Sequence, residues 1–138
     1  MKKITYGEIA KTLDGILEEL GSALGDIEFV VGVSRGGLFP AMVVSTTLVK
    51  PLTVAYIDKQ DNVYFDRAEW INGKKVLLVD DIVRTGKTMD KIRNLLLLEG
   101  ALSVVTLAPY CLEAARNHAP CYGRMVYEDI SFPWDEQA

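Results

Sequence analysis

The chain has 138 residues, 49% of them hydrophobic and 25% charged, with 15 basic residues against 19 acidic ones. That is enough for one ordinary core and too little for two, so a single domain over residues 1–138 is expected. The net charge of −4 offers nucleic acid little electrostatic attraction. No apolar run approaches the roughly 20 residues of a membrane span and the N-terminus lacks a signal-peptide core, which points to a cytoplasmic protein that works on a small molecule.

Thr5 and Glu8 have capping-box spacing, and Ile9, Leu13, Ile16, Leu17 and Leu20 follow at helical intervals, so a first amphipathic helix is expected to end near Gly21 or Gly25. The short, branched run 27–33 reads as a buried strand. After the loop Ser34-Arg35-Gly36-Gly37, residues 38–49 are apolar enough for a core helix with Pro40 in its first turn. Residues 53–58 suit a second strand, and Asn72-Gly73 is a tight-turn signal that launches a third over 75–79. Ile92, Leu95 and Leu96 predict a helix over 88–99 that Gly100 stops. Residues 103–107 read as another buried strand and 124–127 as a last one. Strands alternating with helices imply an α/β fold, with right-handed crossovers and a parallel sheet covered on both faces. Cys111 and Cys121 lack C-x-x-C spacing and His118 is the only histidine, so no zinc set is expected, and His118 reads as a surface loop residue.

Sheets of this kind bind ligands at the carboxyl ends of their strands. Two unusual loops lie there, 34–37 and 80–88. The second ends in Gly86-Lys87-Thr88 like a nucleotide triphosphatase phosphate loop, but the position five residues before Gly86, where that loop needs glycine, holds Asp81. What remains is two carboxylates at a strand end, then hydroxyls, a glycine and the amino end of a helix. The helix end favours a phosphate monoester. Asp80 and Asp81 suit neighbouring hydroxyls or a hydrated Mg²⁺. A phosphorylated sugar carries both kinds of group.

Residues 76–88, VLLVDDIVRTGKT, closely resemble the PRPP-binding signature of type I phosphoribosyltransferases: an apolar strand, two acids, a short apolar stretch, then Thr-Gly and a terminal Ser or Thr. Residues 29–41 resemble the pyrophosphate loop of the xanthine-guanine branch, and Phe132-Pro133-Trp134-Asp135 its base-stacking segment. The resemblance implies a Rossmann-like parallel sheet of about five strands flanked by helices, with a short hood or lid. It implies a Mg²⁺-dependent transfer of the phosphoribosyl group from PRPP to a nucleobase, a 6-oxopurine such as guanine, xanthine or hypoxanthine, in purine salvage. It also implies roles. Asp80, Asp81 and Arg35 would be the catalytic residues, with Asp80 and Asp81 holding ribose hydroxyls directly or through Mg²⁺. Arg84, Thr85, Gly86, Lys87 and Thr88 would form the 5-phosphate cradle, mostly by backbone amides. Ser34, Arg35, Gly36 and Gly37 would grip pyrophosphate in a loop that family members often build with a non-proline cis peptide. Tyr110, Phe132 and Trp134 would meet the base, residues 57–70 would close over the site, and the chain would form a homodimer or homotetramer. The apolar run 95–98, longer than one buried stripe needs, is a candidate interface.

The chain departs from the family pattern in three places. Arg84 stands where the purine branch usually has an aspartate facing N7 of the base, and an arginine cannot accept a proton there. Tyr110 takes the place of a base-binding lysine, and the closing loop lacks the usual Ser-Tyr pair. Two other classes therefore stay open. One is a PRPP- or nucleotide-binding regulator with little turnover, of which some bind RNA, here through Lys74, Lys75 and Lys91. The other is a triphosphatase using Gly86-Lys87-Thr88.

Overall fold

A computed structural model of the chain describes residues 1–135. In chain order the elements are β1 (Lys2–Lys3), α1 (Tyr6–Leu20), β2 (Phe29–Ser34), α2 (Leu38–Leu48), β3 (Leu52–Ile57), β4 (Val63–Phe65), β5 (Lys75–Val79), β6 (Ile82–Val83), α3 (Lys87–Leu98), β7 (Ser103–Leu112), β8 (Tyr122–Val126) and β9 (Ile130–Ser131). Short 3-10 turns cover Ala68–Ile71, Glu113–His118 and Pro133–Asp135.

α1 starts as its sequence dictates. The Glu8 N–H donates to the Thr5 hydroxyl at 3.1 Å and the Thr5 N–H donates to the Glu8 carboxylate at 3.2 Å, which satisfies two of the donors a helix start leaves open. Ile9, Leu13, Ile16 and Leu17 form its buried stripe. α2 is apolar on every side, which suits a helix enclosed by others, yet Leu38 and Met42 are exposed.

The main sheet has seven strands in the order β4-β3-β2-β5-β7-β6, with β8 on the other edge of β7. Every pairing is parallel except β3 with β4, so the sheet is mostly parallel, as expected for the α/β fold, and β4 returns from β3 as the second arm of a hairpin. Alternation along the strands feeds two cores. Val30, Leu77, Val79 and Leu107 pack with Ile9, Leu13, Ala41 and Val44 on one face. Phe29, Val31, Val33, Val76 and Leu78 pack with Met89, Ile92 and Leu96 of α3 on the other.

β7 runs on to Leu112, past its expected end at 107. Pro109 explains both the misreading and the local structure. β5 and β6 pair with β7 in one register, Val79 with Leu107 and Ile82 with Tyr110, so they form one strand interrupted at Asp80 and Asp81. The Asp80 N–H reaches Leu107 O at 3.1 Å, and the next donor across the ladder would come from residue 109, where proline has none. The β7–β8 register also shifts between Leu107 and Tyr110. The sheet is therefore broken where the two carboxylates stand. A second feature the sequence hid is the pairing of β1 with β9, Lys3 beside Ser131, which fixes the segment that carries Phe132 and Trp134.

Candidate active site

The two loops expected at the strand ends come together. Gly36, from the turn after β2, lies so close to Asp81 that a Cβ added to it would stand 2.7 Å from Asp81 Cγ. Gly37 is wedged between backbones: a Cβ there would stand 2.6 Å from Val79 O and 2.8 Å from Val33 O. The Ser34-Arg35 peptide is cis. With the ladder broken, the carboxylates take over backbone donors. Asp80 Oδ1 accepts the Asp81 N–H at 2.8 Å, and Asp81 Oδ1 accepts the Ile82 N–H at 2.7 Å. Burial, and then the neighbouring charge of Asp81, hold the Asp80 carboxyl well above the ordinary carboxylate range. Burial also raises Asp81, against hydrogen bonds that favour its ionised form.

A cavity of about 220 Å³ opens beside them, lined by Asp80, Asp81, Arg84, Thr85, Gly86 and Thr88 among others. It ends at the amino terminus of α3, where Gly86 takes a φ of 89° that favours glycine. A Cβ on Gly86 would also meet His118, the solitary histidine, at 3.2 Å from Cγ. The 3-10 turn after β7 carries His118 onto the cradle, and its Nδ1 lies 3.7 Å from the Asp90 carboxylate. Sequence spacing gave no signal for that contact. Lys87 lies outside the cavity lining, beside a smaller cavity that it shares with Asp61 and Lys91.

The base-side residues fall differently from expectation. Tyr110 is buried, its hydroxyl paired with Thr12 Oγ1 at 3.0 Å and its ring 6.1 Å from that of Phe132. Phe132 is 3% exposed. Both are core in this conformation and neither lines the cavity that holds the carboxylates. Trp134 stacks on Phe132 at 4.9 Å with planes 5° apart, with Tyr6 and Phe39 nearby. Its indole N–H donates to Asp81 Oδ2 at 3.1 Å, and its carbonyl accepts from Arg35 Nη2 at 2.6 Å. Arg84 lines the cavity, and its side chain reaches Asp129 and the Ile130 carbonyl. No motif or spacing singles out Asp129.

The 57–70 segment holds β4 and is an ordered hairpin arm. Asp58 caps its turn by accepting the Gln60 and Asn62 N–H groups, each at 2.9 Å, and the bond from Asn62 pulls its pKa down. Lys91 of α3 reaches the Asp61 carbonyl, and Lys75 pairs with Asp26 at 3.2 Å, so two of the three lysines weighed for RNA have partners within the chain.

The chain as a whole is similar to known proteins. The family model for the phosphoribosyl transferase domain matches residues 5–137. The chain belongs to the phosphoribosyltransferase family. This phosphoribosyltransferase is 33% identical over 131 residues to a xanthine-guanine phosphoribosyltransferase of Cereibacter sphaeroides, covering 86% of this chain and 75% of the relative. It is 30% identical over 86 residues to an orotate phosphoribosyltransferase of Sulfurisphaera tokodaii, covering 59% and 43%. The crystal structure of a purine phosphoribosyltransferase from Pyrococcus horikoshii superposes with a TM-score of 0.81 at 25% identity, covering 99% of this chain and 95% of that one.

Proposed function

We propose that this phosphoribosyltransferase moves the 5-phosphoribosyl group of PRPP to a 6-oxopurine, guanine, xanthine or hypoxanthine, and releases pyrophosphate in purine salvage. The observation that carries this reading is the placement of Asp80 and Asp81 at a gap in the sheet, beside a cavity that ends on the Gly86 helix start. The cradle of Arg84, Thr85, Gly86, Lys87 and Thr88 would hold the 5-phosphate, mostly by backbone amides and the helix dipole. Asp80 and Asp81 would take the ribose hydroxyls. Arg35 and the Gly36-Gly37 backbone would receive the pyrophosphate, where close approach needs glycine.

Among the described residues no group of three or more His, Cys, Asp and Glu could hold a metal. Mg²⁺ does not need such a cage, since it binds through one or two carboxylates, waters and ligand phosphates, and the Asp80-Asp81 pair fits that donor set. When bound it would neutralise charge on the pyrophosphate. In the transfer the bond from C1 to the pyrophosphate oxygen breaks, a bond from C1 to a base nitrogen forms, and the proton of that nitrogen passes to the departing pyrophosphate or to water. Positive charge develops at C1, and ionised Asp80 and Asp81 beside it would favour that charge. Trp134 would stack on the base, and the 57–70 hairpin would keep water out.

A homodimer or homotetramer is part of this reading. Exposed Leu97 and Leu98 keep the 95–98 run a candidate interface, and exposed Leu38, Met42 and Val49 around α2 offer a second apolar surface. The reading also takes the protein to act in the cytoplasm. No helix of the described residues is long and apolar enough to cross a membrane.

A second reading, a PRPP-binding regulator with little turnover, is favoured by one observation: Tyr110 and Phe132 are buried away from the carboxylates. Pyrophosphate release from PRPP and Mg²⁺, measured separately with guanine, xanthine, hypoxanthine, adenine, uracil and orotate, separates the two. Release with a 6-oxopurine upholds the transferase. Silence across all six bases with PRPP binding intact transfers the assignment to the regulator.

A further inference from the structure

The Asp81 carboxylate is enclosed from three directions. Its Oδ1 accepts the Ile82 N–H at 2.7 Å. On another side stands Gly36, so near that no side chain fits between. On the third side the Trp134 indole N–H donates to Oδ2 at 3.1 Å. A carboxylate meant to receive a sugar hydroxyl must offer an oxygen to a donor, and here the indole takes one acceptor direction of Oδ2 while Gly36 crowds the same oxygen. The indole is fixed there from both ends: its ring lies on Phe132, and its own carbonyl accepts from Arg35. Arg35 belongs to the turn after β2, so one residue near the end of the described chain is tied to both loops of the site.

From this geometry we infer that Trp134 is a displaceable stand-in for a substrate hydroxyl, closing Asp81 in the ligand-free protein and releasing it when a phosphoribosyl ligand binds. The inference rests on the reading of Asp80 and Asp81 as the ribose site. The exchange is one donor for another on Asp81 Oδ2, so the carboxylate keeps a hydrogen bond throughout and no buried charge is left bare. Phe132, Tyr6 and Phe39 supply aromatic surface along which the ring can resettle. The same side chain then reports to the base side whether the sugar side is filled.

Trp134→Phe separates the donor from the ring, since phenylalanine keeps the stack on Phe132 and loses the N–H. Calorimetry of PRPP with Mg²⁺ is expected to give about fivefold tighter binding to Trp134→Phe than to the unaltered chain, the worth of one hydrogen bond that no longer has to be broken. The chain has two tryptophans, so a nitrogen-15 spectrum shows two indole N–H signals, and the variant identifies that of Trp134. On addition of PRPP with Mg²⁺ this signal is expected to move and to exchange faster with water. Binding that is equal or weaker in the variant, or a Trp134 signal unmoved by bound PRPP, overturns the stand-in and leaves the transferase reading standing. Absence of PRPP binding in both proteins overturns that reading, and the inference with it.

Discussion

Arg84 Nε donates to both carboxylate oxygens of Asp129, at 3.0 and 3.2 Å, so the loop that carries the paired carboxylates is buttoned to the segment that carries Phe132 and Trp134. Arg84 Nη2 adds a bond of 3.3 Å to the Ile130 carbonyl. Both partners keep substantial solvent contact, 44% and 35% of their side-chain surface, so the pair is worth at most about 1 kcal/mol of stability. Its importance is positional. Asp129→Ala is expected to shift the melting temperature by only a few degrees and to raise KM for the base more than KM for PRPP. Steady-state kinetics with each substrate varied in turn checks this, and equal changes in both would count against a base-side role.

Asp80→Asn and Asp81→Asn should each abolish measurable PRPP binding while the protein stays folded or gains stability. Burial raises both carboxyls, so the folded protein holds their protons to higher pH than the unfolded chain does. The sign follows: stability associated with the pair is fully present below the ordinary carboxylate pKa of about 4 and declines as pH rises from there through the raised values. Melting temperature against pH should thus fall over that window in the unaltered chain and fall less in Asp80→Asn. A variant that melts lower than the parent at neutral pH would show that Asp80 supports the fold.

The two glycines after β2 make different demands. Gly36→Ala would push against the Asp81 side chain, which can turn aside only by loosening its bonds to Ile82 and Trp134, so it should weaken PRPP binding with a modest loss of stability, about 1 kcal/mol. Gly37→Ala would push against the Val33 and Val79 backbones, which cannot rotate away, so it should destabilise the sheet by about 3 kcal/mol or prevent folding. Urea denaturation with calorimetry on the folded variants tests the contrast. If Gly36→Ala destabilises as much as Gly37→Ala, the separation of fold from site is wrong.

Gly86→Ala combines a left-handed φ of 89° with a collision at His118. Replacing His118 by glycine in the same chain removes the collision and leaves the backbone strain, so it should restore part of the stability and only part of the phosphate affinity. Inorganic phosphate titrations of the single and double variants measure the two contributions.

How much of this could be read from the residues depends on the range of the interaction. The capping box at Thr5 and Glu8, the stop at Gly100 and the turn at Asn72-Gly73 are local, and the structure places all three as the spacing predicts. The paired carboxylates, the Gly86 helix start and the glycine loop were legible because they lie within short continuous stretches. What escaped was long-range. Two-residue strands such as Lys2–Lys3 and Ile130–Ser131 have no periodicity to detect. Tyr110 carries the same side chain whether it faces a ligand or, as here, Thr12 across the core. Asp129 and His118 gain meaning only from Arg84 and Gly86, which are distant in sequence.

Pro109 leaves the sheet with a covalently enforced fault line. Side-chain rearrangement cannot supply an N–H that the imide nitrogen lacks, so the gap opposite Asp80 and Asp81 cannot heal while the strands on either side remain fully laced. The two carboxylates therefore stand at a fault that the paired strands on either side do not close. A single Pro109→Ala exchange, by offering the missing stitch, is expected to sew β5 and β6 into one continuous strand and close the fault beside the cleft.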